Sequence, residues 1–340
     1  MVRGRGRGGG SSGGSPRVRF PLNKGGYKPA SRPIVRSRPE GIRWLRADGT
    51  PNWSQRVRKA GGDARSIASR PAITIHKSTP IIEATEKIYK SRVRGLVVVR
   101  GGIVEGVVLA TDLINYLGGG DYYQIVVSRH KDSIYSALRR EVVSTIMNRS
   151  PIVVTLDESL EGVLSIMVGE GVGFLPVVYE DGSIYGVITE RDVVSRLADT
   201  PFDKKVEDHM TSTIVAVDME SPIIDAMKLM VAHGFRRLPV ISAKTGDLKG
   251  IITAKDLVSY FGSHEAFKAA TEGKLSEVLA TPVYMVMSPE VHTISPKSSV
   301  ADAAKRMLEM GVDSLIVVEG GEARGIITER DILVAAAVGE

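Results

Sequence analysis

Three times along this chain an apolar, β-branched run stops at a threonine and resumes, after three further residues ending in aspartate, with helical spacing. GVITERD stands at 186–192, GIITAKD at 250–256 and GIITERD at 325–331. Gly325, Ile326 and Ile327 lead into Thr328, and Asp331 is followed by Ile332, Leu333 and Val334. The β-branched run predicts a strand, and the apolar pair after the aspartate predicts one face of a helix. Each heptad is therefore a strand-to-helix joint, with threonine at the helix N-cap and aspartate three residues on. Hydroxyl and carboxylate in those places satisfy N–H groups that the first helical turn leaves without partners. Capping alone accounts for Thr189/Asp192, Thr253/Asp256 and Thr328/Asp331. It does not account for the glycine that recurs three residues before each threonine.

The pattern around the heptads recurs as well, and self-similarity on this scale marks a repeat architecture. From Met147, Met210 and Met287 the order is the same: short strand, amphipathic helix, strand, turn, strand, helix. In the third copy Ile224, Met227, Met230 and Val231 set the helical face, and Gly234 is the predicted stop. A weaker copy comes first. SIASRPAIT at 66–74 echoes STIMNRSPIV at 144–153, IIEATEKIYKSRVRGLVVV at 81–99 supplies helix and strand, and GVVLATDLI at 106–114 fills the heptad position. There Leu109 replaces the threonine while Asp112 is kept.

Four β-α-β-β-α repeats of this kind resemble cystathionine-β-synthase (CBS) domains, over roughly residues 64–338. The resemblance is carried by the heptads, by the upstream Met-Ser/Thr box, and by LPV at 175–177 and 238–240. It implies an α/β (α+β) fold in which repeats 1+2 and 3+4 pack as two pseudo-symmetric pairs, preceded by an extended basic tail. The expected divisions are a tail at 1–63, repeats at 64–120, 144–200, 201–263 and 285–340, and linkers at 121–143 and 264–284. The first linker reads either as a linker helix or as a second docking surface. The resemblance also allows a homodimer through the CBS pairs.

A helix N-terminus offers N–H donors and positive dipole to a phosphate. In the CBS family the Ser/Thr contacts phosphate, the Asp holds ribose, and adenine lies in an apolar slot between paired repeats. Carried over, this nominates Thr189, Asp192, Thr253, Asp256, Thr328 and Asp331, with Arg191, Lys255 and Arg330 as neighbouring cations. Arg236 and Arg237 precede Leu238-Pro239, and two adjacent arginines are hard to bury without an anion. The matching positions, Gly173/Phe174 and Asp313/Ser314, supply no cation. The expected ligand is AMP, ADP or ATP, with pair 3+4 favoured and the Leu109 site empty or structural.

Catalytic apparatus is not expected. There is no cysteine, hence no thiol nucleophile or thiolate metal site, and no disulfide. The six histidines show no metal-binding spacing, and no metal is predicted; His233, before Gly234, reads as a helix-end residue. No apolar run reaches membrane-spanning length and the start carries no secretory signal, so a cytoplasmic protein is expected.

Charge changes the picture at the N-terminus. Residues 1–63 hold fifteen Lys/Arg against three Asp/Glu, a net of +12; the whole chain is +6, which leaves −6 for residues 64–340. The basic character belongs to the tail, which cannot bury enough apolar surface to fold alone. Arg-Gly alternation suits RNA, since guanidinium groups fork onto phosphates or stack on bases. The candidate RNA contacts are Arg3, Arg5, Arg7, Arg17, Arg19, Arg32, Arg36 and Arg38, then Arg43, Trp44, Arg46, Trp53, Arg56, Arg58 and Lys59. Both tryptophans of the chain lie among them. The competing reading is that this tryptophan segment packs as an arm on the repeats. The first functional reading is an adenine-nucleotide sensor docked on a ribosomal subunit to regulate or idle translation. The second is a regulatory subunit of a metabolic enzyme or transporter, and the third a DNA-binding transcriptional regulator.

Overall fold

Each repeat builds a three-stranded sheet from one two-residue strand and a longer hairpin. In the computed structural model the described residues are Val18, 62–198 and 204–337. The strands are β1 (Thr74–Ile75), β2 (Gly95–Arg100) and β3 (Ile103–Leu109) in repeat 1. Repeat 2 holds β4 (Val154–Thr155), β5 (Phe174–Val178) and β6 (Ile184–Thr189). Repeat 3 holds β7 (Val217–Asp218), β8 (Arg237–Ile241) and β9 (Leu248–Thr253). Repeat 4 holds β10 (Thr293–Ile294), β11 (Ser314–Glu319) and β12 (Glu322–Thr328). In every sheet the short strand runs parallel to the second, and the second pairs antiparallel with the third. A helix precedes each hairpin and another follows it. The third repeat's first helix, Ile223–His233, ends on Gly234 at φ 66°, a left-handed cap that glycine adopts at little cost. His233 closes that helix with its ring stacked on Phe235 at 5.2 Å between centroids.

Repeats 1 and 2, and likewise 3 and 4, are tied by exchanged N-terminal arms. The arm of repeat 1 bridges to β6 at Ser69–Val187, and the arm of repeat 2 returns to β3 at Asn148–Val107. The second pair does the same at Thr211–Ile326 and Ser288–Ile251. This exchange is why the heptad begins with glycine. A β-carbon at Gly106, Gly186, Gly250 or Gly325 would stand 2.5, 2.9, 2.4 or 2.8 Å from the carbonyl of Asn148, Ser69, Ser288 or Thr211. Met147, Met287 and Met210, from the upstream boxes, pack their sulfur over three of those glycines.

The helical layers join the pairs the other way. One apolar core unites repeats 1 and 3, with Ile81, Ile88, Leu113, Met227, Leu257 and Phe261 fully enclosed. The other unites repeats 2 and 4, around Leu160, Val194, Leu197, Val300, Met307 and Ile332. Each such enclosed side chain contributes about 1.5–3 kcal/mol relative to exposure. The linkers belong to the first core: Ile134 and Leu275 donate N–H to Gly273 and Asp132 across the two linkers, at 3.0 and 2.7 Å. The Tyr116 hydroxyl, fully buried, donates to Ala137 at 2.8 Å. Residues 121–143 are thus a packed linker of two helices, Tyr123–His130 and Ile134–Arg140.

Candidate nucleotide clefts and the central ion lattice

Arm exchange places the arm of one repeat opposite the heptad of its mate. Thr189 and Asp192 face the arm segment Ser69, Pro71, Ala72 and Ile73. Thr253, Lys255 and Asp256 face Ser288, Glu290, Val291 and His292, while Thr328 and Arg330 face Thr211, Thr213, Ile214 and Val215. In repeat 1 Leu109, Ala110 and Thr111 line the same large cleft, a cavity of about 720 Å³ reached by all four repeats.

At each heptad the aspartate folds back on its threonine. Asp192 Oδ2 accepts from the Thr189 backbone at 2.7 Å and from its hydroxyl at 2.6 Å. Asp256 does so with Thr253 at 2.9 and 2.7 Å, and Asp331 with Thr328 at 2.8 and 2.7 Å. The Thr253 hydroxyl in turn accepts the Asp256 N–H at 3.1 Å. Leu109 keeps the backbone half only, donating its N–H to Asp112 at 2.8 Å. Burial without a hydroxyl partner pushes the Asp112 carboxyl up to about 6. Asp256 is also raised by burial, offset in part by Thr253. Asp192 has a further partner on its other oxygen, the Ser69 hydroxyl at 2.6 Å.

The cations are engaged within the chain. Arg191 donates to the Met307 and Val312 carbonyls at the end of helix Val300–Met310. Arg330 reciprocates on Met167 and Gly171, where helix Leu160–Gly169 ends. Both guanidinium groups thus sit at the negative ends of helix dipoles in the opposite pair. The anions expected near Arg236 and Arg237 are carboxylates of the protein itself. Arg236 pairs with Glu190, and buried Arg237 grips Asp313 through its carboxylate and its backbone carbonyl, both at 2.6 Å. The Arg237 Nε is buried with no hydrogen-bond partner, and burial pulls this guanidinium below its usual value despite Asp313.

Three residues that the heptad and strand patterns did not single out complete the centre: Arg94, Glu190 and Glu329. Arg94 donates to Glu190 at 3.2 Å and to Glu329 at 2.8 Å. Arg330 and Arg191 lie 3.4 and 3.5 Å from Glu190 and Glu329. Both glutamates are only 1% exposed. Burial opposes charge on Glu190, but Arg236 and Arg94 outweigh it and hold the carboxyl below its usual value. On Glu329 burial prevails over Arg94, and nearby Asp313 adds repulsion, so this carboxyl is raised. The candidate RNA contacts from Arg3 to Lys59 lie outside the described residues.

Comparison with known proteins agrees with this architecture. The CBS domain family model matches residues 64–119, 143–199, 206–263 and 283–338, and the chain belongs to the CBS domain family. A Thermofilum pendens relative, described as an uncharacterized 33.4 kDa protein in the ribosomal RNA operon, is 33% identical over 77% of this chain and 87% of its own length. Protein MJ1225 of Methanocaldococcus jannaschii is 29% identical over 78% of this chain and 95% of its own. The crystal structure of MJ1225, described as a putative archaeal homolog of g-AMPK, superimposes with a TM-score of 0.75 at 28% identity, covering 80% of this chain and 99% of that one. Among the described residues no helix is long and apolar enough to cross a membrane.

Proposed function

We propose that this chain is a non-enzymatic adenine-nucleotide sensor that docks through its basic N-terminal extension on RNA, most simply a ribosomal subunit, and regulates translation there. The nucleotide half rests on one observation: at the Thr253 and Thr328 heptads a helix N-terminus with its Thr/Asp pair faces an arm from the mate repeat that mixes polar side chains with Val291 at one site and with Ile214 and Val215 at the other. Helix N–H groups and Lys255 suit phosphate, the second carboxylate oxygen suits ribose hydroxyls, and Ile214, Val215 or Val291 suit a base. AMP, ADP and ATP all fit that chemistry. The RNA half rests on the +12 charge of residues 1–63 beside a body of −6. The Thermofilum relative's place in a ribosomal RNA operon supports the same direction.

Calorimetric titration of the full chain with each nucleotide, beside an Asp256→Ala variant, tests the first half. Sedimentation of tagged protein in lysate of its source organism, with and without residues 1–63, tests the second. Co-migration with a ribosomal subunit that is lost on deletion and weakened by salt supports docking. Migration as a small free species overturns it. The description of MJ1225 as a g-AMPK homolog favours a second reading, a nucleotide-sensing regulatory subunit for a metabolic partner in the cytoplasm. Under that reading the partner complex survives loss of residues 1–63.

A further inference from the structure

The two pairs are built alike but closed differently at one point. Counting from the heptad glycines, Val104, Ile184, Leu248 and Ala323 are equivalent, each two residues before its glycine and just past the bulge of its hairpin. In pair 1+2 these residues join the hairpins directly. Val104 donates its N–H to Gly182 at 3.2 Å and Ile184 donates to Gly102 at 2.9 Å. In pair 3+4 the Leu248 N–H goes instead to the carbonyl of Val18, at 2.9 Å. The Val18 side chain is 8% exposed and packs among Ile214, Val291, Ile316, Ala323 and Ile326. Ile214 and Ile326 line the Thr328 cleft, and Val291 and Ile316 line the Thr253 cleft. One residue of the extension therefore stands at the seam between two candidate sites, in the place of an inter-repeat bridge.

We propose that the seam between the hairpins of repeats 3 and 4 is an intramolecular docking site for the N-terminal extension, anchored by Val18, and that the extension cannot hold this seam and a polyanion at once. The apolar floor selects a β-branched side chain, and the Leu248 amide selects a backbone acceptor beside it. Val18 is flanked in sequence by Arg17 and Arg19. A nucleic acid bound to those arginines would lie against a body carrying net −6, and like charges at close range repel. The second clause rests on the RNA reading above; the first does not.

Hydrogen exchange of the Leu248 amide in the full chain tests both, with the Val104 amide as internal standard. In the unmodified chain Leu248 is expected to be protected to within about tenfold of Val104. Val18→Asp should speed Leu248 exchange at least tenfold and leave Val104 unchanged, while Val18→Ile keeps the protection. Saturating poly(U) RNA should act on Leu248 as Val18→Asp does. Unchanged Leu248 exchange in Val18→Asp overturns the docking, whatever RNA does. Protected Leu248 with poly(U) bound, as read by filter retention, overturns the exclusion. Failure of poly(U) to bind overturns the RNA reading and the exclusion with it, and the Val18 variants still decide the docking.

Discussion

Arg94 holds Glu190 at 3.2 Å and Glu329 at 2.8 Å, so one side chain of repeat 1 joins carboxylates from repeats 2 and 4. Repeat 3 enters the same lattice through Arg236 on Glu190. The four repeats thus meet on charges shielded from water, where removing one partner costs far more than at a surface. Arg94→Ala should destabilise the chain by about 3 kcal/mol, the lower end for orphaned buried charge, since Glu190 keeps Arg236 and Arg330. Chemical denaturation measures it. Adding Glu329→Gln should recover part of the loss, and a loss of about 0.5 kcal/mol or less would reduce the Arg94 bridge to a surface pair.

Gly250 lies where the arm of repeat 4 crosses β9, and an added β-carbon would meet the Ser288 carbonyl at 2.4 Å. Ile251 and Ser288 exchange two hydrogen bonds of 2.9 Å at that crossing. Gly250→Ala should push the arm away, at a cost of about 1–3 kcal/mol for overpacking. It should also weaken any ligand of the Thr253 cleft, since Ser288 and Val291 form its far wall. A melting curve and a nucleotide titration read the two effects separately.

Thr253 serves as cap and as candidate ligand, and one substitution separates the roles. Thr253→Val keeps the shape and β-branching but loses the bonds to Asp256 at 2.7 and 3.1 Å. As a cap alone it should cost about 1 kcal/mol of stability and leave nucleotide affinity within twofold. As a phosphate contact it should also weaken AMP, ADP or ATP at least tenfold, a difference of about 1.4 kcal/mol. Calorimetry on the folded variant distinguishes them.

Asp112 makes stability depend on pH in an unusual direction. Its carboxyl is raised by burial from 3.8 to about 6 in the folded chain. The folded state therefore holds the proton more tightly than the unfolded chain does. Protonation favours folding, so this contribution is lost as pH rises from about 4 through 6 and is flat above that. A shift of this size corresponds to about 3 kcal/mol. Asp112→Asn should match the unmodified chain near pH 4 and exceed it near pH 7.5, as read by denaturation midpoints at both values.

Arg191 and Arg330 cap helix ends in opposite pairs, each on the equivalent methionine carbonyl, Met307 or Met167, and on one further carbonyl, Val312 or Gly171. Each alanine variant should lose roughly 1.5–3 kcal/mol, the range for a charge-assisted hydrogen bond. The two losses should be similar, and a large inequality in melting temperature would break the pseudo-symmetry of the lattice.

Much of this architecture was legible in the chain because the repeat carries it: three heptads and one weaker copy mark four strand-to-helix joints. The reason for the glycine was not legible. It lies in the carbonyl of an arm that pairs with β9 from 37 residues away at Ser288 and Ile251, which no local pattern displays. Arg236 and Arg237 could be seen as cations in need of an anion, but Glu190 and Asp313 are 46 and 76 positions distant. A signal did exist. Across repeats 1 to 4, the position at the hairpin start reads Arg94, Gly173, Arg236, Asp313, and the one after the heptad's fourth residue reads Ala110, Glu190, Ala254, Glu329. Cations stand in repeats 1 and 3, and glutamates in 2 and 4. The two columns touch in every repeat, through N–H bonds of 2.9, 3.3, 2.8 and 3.1 Å from the second to the first.

The crossed arms also govern what can be cut, copied or lost from such a chain. A lone repeat would carry a heptad whose glycine groove has no strand to receive, and an arm with no sheet to join. Two repeats close each other's sheet edges, while their helical faces close only against the second pair. For its sheet edges, the smallest closed unit of this protein is therefore the pair. A break between Val187 and the Ser69 arm it holds would leave both halves with open edges.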